Sequence, residues 1–568
     1  MFEDKKEGRG LMPRGRKKSP QDSIDSILLA MSRRSDIDSG TLSHYFDRLD
    51  EEWTEGARDK VLHLLRTNDT SAHSAAVLIL TELATGFDLR ELEKFVADST
   101  VSDMAKLSLA PVLKELGSDI ADDRIIEYLN DPEAAMIQMQ ARLLELVGQS
   151  ELGVESVLED VTSMPVERRL GFVNWLGHSG DARAAYLLIP LMEHQPAKVA
   201  TAAIDALEQL GTAVAHQTIP ALNYLIANSA NRQLKQQARA ALGRLTMQSA
   251  PGVEDVAMIH AQHQLPLYQA RVSFVDGTGS QMIMISWQRP DGLLKGVNVL
   301  YQDRWGIKDC YGTDGMEIER WSELVSDVEE QGFINFQVSL EYCRALIAEA
   351  RALNKRTRRK LPIAYSIWRP YLAEDITSGE DITMASTMLE PRPFNPDLAS
   401  VARHGDQIYQ MPEFESWLFE PLVDILPYIN RYWLIYNVFD MLSVGTNQSG
   451  RGRRKGQKSQ KLQRPNLDAL VSEALDALID DDWRKLYEVR LRRQGALFQF
   501  AGRHNDAALV SAVASALHPA SGLSIHEQPF LQTMMRLSIE GGPMRMMAEV
   551  LEDVDFGLGP PLDPFPRP

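Results

Sequence analysis

The stretch that decides the fold is Ala197–Gly211, AKVATAAIDALEQLG. Val199, Ala203, Ala206 and Leu210, with Ile204 and Leu207 beside them, recur at spacings of three and four, which places them on one face of a helix. The alanines on that face let a neighbouring helix approach closely, and Gly211 offers a residue suited to the left-handed end of a helix. A second amphipathic segment follows, with Ile219, Leu222 and Leu225 as its apolar positions, and a further copy begins near Asn231. One such pair cannot bury its apolar face alone, so pairs of this kind stack on one another.

Working outward, segments of the same kind close at Leu83-Ala84, Leu116-Gly117, Val147-Gly148, Leu176-Gly177, Leu210-Gly211 and Leu245-Thr246, at spacings of 33, 31, 29, 34 and 35 residues. A period in this range marks a helical repeat array. Gln233–Leu245 (QLKQQARAALGRL) shows the pattern most clearly. The copy at Asp131 opens with Asp-Pro-Glu, an N-cap followed by proline in the first turn. The alanine-rich second half of each helix, the terminal Leu-Gly and the repeat length resemble HEAT repeats, in particular the short type of phycobilisome-lyase-like and other bacterial repeat proteins. The resemblance covers about residues 40–250. It implies an α/α superhelix whose concave face serves as a binding surface. Lyase activity is not carried over, because the features it depends on are not found. Ser23–Leu65 reads as an atypical capping repeat, and Trp53 and Trp175 read as residues filling gaps between repeats.

The helical period stops near residue 250, and residues 251–265 read as a linker helix. Alternation then takes over. Tyr268, Ala270, Val272 and Phe274 share one side of a strand, and strands follow at Gln281–Trp287, Gly296–Tyr301 and Ile307–Tyr311, with turns at Asp276-Gly277 and Asp291-Gly292. This is a small antiparallel meander. Helices are expected from about Met316 to Glu330 and from about Asn335 to Asn354, then near 414–426, 429–443, 467–494, 504–517 and 527–551. The organisation expected is a disordered basic tail (1–22), a HEAT-like array (23–250), the linker (251–265), a small α+β domain (266–360), a helical subdomain (361–445), a flexible basic loop (446–465), a C-terminal helical subdomain (466–552) and a disordered tail (553–568). The fold class is therefore mainly α: an N-terminal α/α superhelix, a small antiparallel β-meander and a C-terminal helical region.

The chain has 568 residues, too many for one hydrophobic core. Its formal charge of −19 opposes non-specific attraction to nucleic acid or anionic membranes while leaving room for local basic sites. The two cysteines, Cys310 and Cys343, fit a reducing compartment. The first twenty residues lack the apolar core of a signal peptide, and the apolar region Trp417–Leu442 is interrupted by Glu420, Asp424, Arg431, Asp440, Pro421 and Pro427. The expected location is cytoplasmic, with no membrane span.

Three groups of residues suggest chemistry. The first is the basic segment 449–465, where Arg451, Arg453, Arg454, Lys455, Lys458, Lys461 and Arg464 stand among Gly, Ser and Gln with no acidic residue. Such a loop can neutralise phosphates, but no aromatic residue is interleaved to stack on bases. A second run, Asn354–Lys360 (NKRTRRK), closes a helix, where cations suit the dipole. Arg14, Arg16, Lys17 and Lys18 add a third basic cluster. The second group is the segment YQDRWGIKDCYGTDGMEIE (301–319). Its Asp303, Asp309 and Cys310 mark a candidate pocket, although Asp is also common in turns. The third is His260 and His263, one helical turn apart, which would need a third ligand to hold a metal. No phosphate-binding loop, dinucleotide fingerprint, zincin or serine-hydrolase motif is present. The expectation is a non-enzymatic scaffold that binds a protein partner through the concave face of the array, with no cofactor. The alternatives are nucleic-acid or ribosome association through residues 451–464, and an enzyme with a site near Asp303–Cys310.

Overall fold

The computed structural model describes residues 23–33, 39–67, 69–121, 123–194, 196–248, 265–330, 334–372, 396–433 and 466–543. The chain divides into two compact units, Met1–Glu145 and Leu146–Pro568.

The first unit contains α1 (Ile24–Ser32), α2 (Ser39–Glu51), α3 (Arg58–Leu65), α4 (Thr70–Leu83), α5 (Leu89–Ala97), α6 (Asp103–Ser108), α7 (Ala110–Glu115) and most of α8 (Pro132–Gln149), within which the division falls. Leu49, Val61, Leu65, Ala76, Ile79, Leu80, Leu92, Val96, Leu109 and Leu113 form its core. Trp53 is buried there, and its indole N–H donates to Asp88 at 3.3 Å. Burial alone would raise the Asp88 pKa. The backbone N–H of Thr85, the guanidinium of Arg58, the indole and the Thr85 hydroxyl outweigh it and hold the carboxyl below its ordinary range. This network fixes the α4–α5 turn, where Phe87 is 97% exposed.

The second unit opens with α9 (Glu151–Ser163), α10 (Val166–His178), α11 (Ala185–His194), α12 (Ala197–Leu210), α13 (Ala215–Asn228) and α14 (Arg232–Gln248). α10 packs on α12 and α12 on α14, while α11 packs on both α12 and α13. The expected helix ends hold at Leu83 and at Leu210, where Gly211 takes a φ of +65°. They do not hold everywhere. Helices run on through Val147-Gly148, Leu176-Gly177 and Leu245-Thr246. Gly177 is not a cap: a Cβ there would lie 2.9 Å from the Ala206 Cβ, so its role is to let α10 and α12 touch. Trp175 is half-buried, with its ring 5.5 Å from that of Phe172.

The strands are β1 (Leu267–Ser273), β2 (Ser280–Gln288), β3 (Leu294–Gln302), β4 (Gly306–Met316) and β5 (Asn335–Gln337), in an antiparallel sheet of order β4-β3-β2-β1-β5. The remaining helices are α15 (Ile318–Glu330), α16 (Leu340–Thr357), α17 (Ile363–Leu372), α18 (Pro396–Ala402), α19 (Leu422–Trp433), α20 (Leu467–Leu478), α21 (Asp481–Phe500), α22 (His504–Leu517) and α23 (Pro529–Glu540). Three corrections concern these elements. Where helices were expected near 414–426 and 429–443, the described residues hold one α-helix, Leu422–Trp433, and residues 415–421 are not helical. Residues 335–337, expected to begin a helix, pair with β1 as a fifth strand because Phe336 is buried opposite Val272; the helix starts after Ser339, whose hydroxyl accepts from the Tyr342 N–H. The single helix expected over 467–494 is two, broken at Ile479-Asp480, with Asp480 capping α21 through the Trp483 N–H.

One face of the sheet (Ile283, Ile285, Trp287, Val297, Val299, Tyr301) belongs to a core that continues through α16, α17 and the C-terminal helices. The other face (Met284, Leu294, Tyr311) is covered by Trp321 and Val325 of α15. Charged pairs join α9 and α11 to this body. Lys295 contacts Glu151, and the Tyr371 hydroxyl donates to Glu151 at 2.6 Å; Trp368 donates to Glu155 at 2.9 Å; Arg369 binds Glu193 through both terminal nitrogens at 2.8 and 3.1 Å. Burial disfavours the Glu151 carboxylate, but Lys295 and Tyr371 more than offset this and lower its pKa.

If the α10–α12 contact depends on the missing side chain at residue 177, Gly177→Val destabilises the chain by about 1–3 kcal/mol through overpacking. Gly171→Ala on the same helix, where a Cβ meets nothing within 4 Å, is neutral or stabilising by up to about 1 kcal/mol. Urea unfolding of the two variants provides the measurement.

Candidate functional site

Gly279 and Gly306, at the β1–β2 and β3–β4 turns, have positive φ values of +84° and +98°. At each position a Cβ would run into a neighbouring side chain, the Asp303 carboxylate for Gly279 and the Asn354 carboxamide for Gly306. These close approaches set the geometry of the segment singled out from the sequence. Asp303 is tied to α21: Arg490 donates to it from Nε at 2.6 Å and from Nη2 at 3.1 Å. The same guanidinium donates to the Gly277 carbonyl at 2.7 Å and the Thr278 carbonyl at 2.9 Å. Both side chains are almost fully buried. Asp303 therefore clamps two hairpin tips to a helix.

Asp309 and Cys310 do not join it. Cys310 stands opposite Val299 and points into the main core; Asp309 stands opposite Leu300 on the other face of the sheet and accepts the Cys310 N–H at 2.8 Å. Burial, with Glu155 and Asp309 nearby, pushes the Cys310 thiol well above its ordinary pKa, the reverse of what a nucleophile requires. Burial likewise raises Cys343. The three residues expected to line one pocket thus occupy separate surroundings, because neighbouring positions on a strand face opposite ways and Asp303 belongs to a turn. Arg451, Arg453, Arg454, Lys455, Lys458, Lys461, Arg464, His260 and His263 lie outside the described residues. Among the described residues no group of three or more His, Cys, Asp or Glu side chains is placed to hold a metal, and no helix is long and apolar enough to cross a membrane.

Two features were not read from the sequence. The first is the row of buried arginines on α21. Arg484, Arg490, Arg492 and Arg493 are all buried, and they engage the Leu517 and His518 carbonyls, Asp303, Glu488 and Glu349 respectively. Arg493 also lies 4.8 Å from the Tyr301 ring centroid. Glu488 and Arg492 are four residues apart, which signals a helical pair, but helical spacing reads equally as an exposed charged face. The second is the surface beside the clamp. Arg304 and Trp305 are exposed there, and the Arg359 guanidinium lies 3.8 Å from the Trp305 ring centroid. The cations of Asn354–Lys360 thereby gain an aromatic neighbour from a distant part of the chain.

Two outcomes check this geometry. Asp303→Ala leaves Arg490 buried with two carbonyls only and costs about 3–5 kcal/mol in urea unfolding, whereas Asp303→Ala combined with Arg490→Met recovers much of that loss. Neither Cys310 nor Cys343 reacts with a thiol reagent in the native protein, and both react in denaturant, when followed by thiol absorbance. Comparison of the chain with protein-family models, with curated proteins and with solved structures finds no match.

Proposed function

We propose that this protein is a non-catalytic scaffold that holds a protein partner on a short HEAT-like α/α stack. One observation carries the reading: α10, α12 and α14 pack in sequence as one layer, while α11 and α13 pack as a second. Such layering extends surface area without building an enclosed site, and repeat proteins use it to hold partners. The chain itself covers part of the α11–α13 side. Arg369 of α17 lies 3.8 Å from the Tyr224 ring centroid and binds Glu193, and the His194 ring meets the Leu361 carbonyl at 3.2 Å. Among the described residues Asp205, Gln209 and Arg239 on the α12–α14 side are exposed, and this is the side we assign to a partner. Its ridge is polar: Gln237 donates to Asp205 at 2.9 Å, and Arg244 pairs with Glu208. Surfaces of this composition suit reversible association more than an obligate interface.

The test is site-specific photo-crosslinking in native cells. Crosslinkers at Asp205, Gln209 and Arg239 give adducts with one common protein, and a crosslinker at Glu323, which is exposed on α15, does not. Equal adducts from all four positions, or none from the first three, remove the reading.

A further inference from the structure

Acidic residues outnumber basic ones in this chain, 79 to 60, and many of its described arginines have found a carboxylate. One cluster has not. Lys355, Arg356, Arg358, Arg359 and Lys360, at the end of α16, are all exposed, and so is Arg304 in the β3–β4 turn. Among the described residues none of these six makes an ion pair. The nearby carboxylates are engaged elsewhere: Asp303 by Arg490, and Glu349 by Arg493, while Asp309 faces the other side of the sheet. Cations left unpaired in a chain with excess acid form a local positive field that an external anion can occupy.

The platform beneath them is firmly built. The buried carboxamide of Asn354 accepts the Ile307 N–H at 2.7 Å and donates to the Ile307 carbonyl at 3.1 Å, pinning the end of α16 to the start of β4. Gly306 fits against it only because it has no side chain. Arg358, with a φ of +57°, turns the chain back, and Arg359 then lies over the Trp305 ring and donates to the Arg304 carbonyl at 3.3 Å. Trp305 remains 38% exposed. A flat aromatic–guanidinium pair held rigid among unpaired cations matches a phosphodiester backbone with an unstacked base. A duplex keeps its bases stacked and offers this pair nothing to stack on. A membrane favours a projecting apolar side chain, whereas this indole lies against Arg359.

We propose that Trp305 and Arg359, with Arg304, Lys355, Arg356, Arg358 and Lys360, form a binding surface for single-stranded nucleic acid, one base stacking on the Trp305–Arg359 pair and phosphates meeting the surrounding cations. The probe is a short fluorescein-labelled oligo(dT), titrated with the full chain and read by anisotropy over a range of salt concentrations. Each phosphate contact contributes about 0.7 to the slope of log affinity against log salt. Trp305→Ala weakens binding about 5- to 150-fold at unchanged slope, the loss expected for one stacked base. Trp305→Phe keeps most of the affinity, and Arg356→Ser with Lys360→Ser lowers the slope by about 0.7 per cation removed. Unchanged melting temperatures show that the variants are folded. Several results overturn the proposal: no binding at low salt, tighter binding to the oligo(dT)·oligo(dA) duplex, to polyglutamate or to phosphatidylserine vesicles, or oligo(dT) binding unaltered by both the Trp305→Ala and the Arg356→Ser/Lys360→Ser changes. The last result would place the binding on other cations of the chain.

Discussion

The second unit depends on the burial of Arg490. A guanidinium removed from water is tolerated only when its donors are used and its charge is met, since an unpaired buried ion costs several kcal/mol. Asp303, Gly277 and Thr278 meet these demands together. The two hairpin tips must therefore sit at one place on α21, and the glycine at residue 279 is required because Asp303 occupies the space a side chain would take. Such a clamp adds less to net stability than to uniqueness: sliding α21 by one turn would strand the charge. The same logic applies to Arg369 with Glu193 and to Lys295 with Glu151, which register α11 and α9 against the sheet body.

This charge-directed assembly shapes the functional reading. Two of the three residues read as a candidate pocket serve the structure. Asp303 is a counter-ion, and Cys310 is a small apolar filler whose thiol is harder to ionise than a free one. Among the described residues, the two surfaces that carry the proposals lie outside the core: a polar helical ridge on α10, α12 and α14, and the cationic surface around Trp305. Both are presented by elements whose inner faces are well packed.

Much of the fold was legible from periodicity. The strands near 268–311 and the helices at 197–210 and 504–517 follow from spacings of two and of three to four. Ile334, Phe336 and Val338 alternate with Asn335 and Gln337 and carried the signal for β5, but a three-residue strand is short enough to be absorbed into the helix that follows. The glycines were misassigned in one instructive case. Gly177 resembles a helix terminator in the sequence and acts as a contact point, because removing a Cβ serves both purposes and only the neighbouring Ala206 distinguishes them. The site was less legible. The run Asn354–Lys360 was visible, but its aromatic partner lies some fifty residues away in sequence and is brought to it by the Asn354–Ile307 hydrogen bonds.

By itself, the sequence determined the type of most long segments and which of their faces turn inward, because these depend on side-chain spacing along a few turns of chain; the short strand β5 and the helix break at Ile479-Asp480 escaped it. It also determined that the protein is acidic with isolated basic runs. Only the tertiary structure decided which charges are buried with partners and which stay open to solvent. That choice depends on pairings such as Arg490 with Asp303 and Arg359 with Trp305, whose members are far apart along the chain, and no local pattern encodes the three-dimensional distance between them.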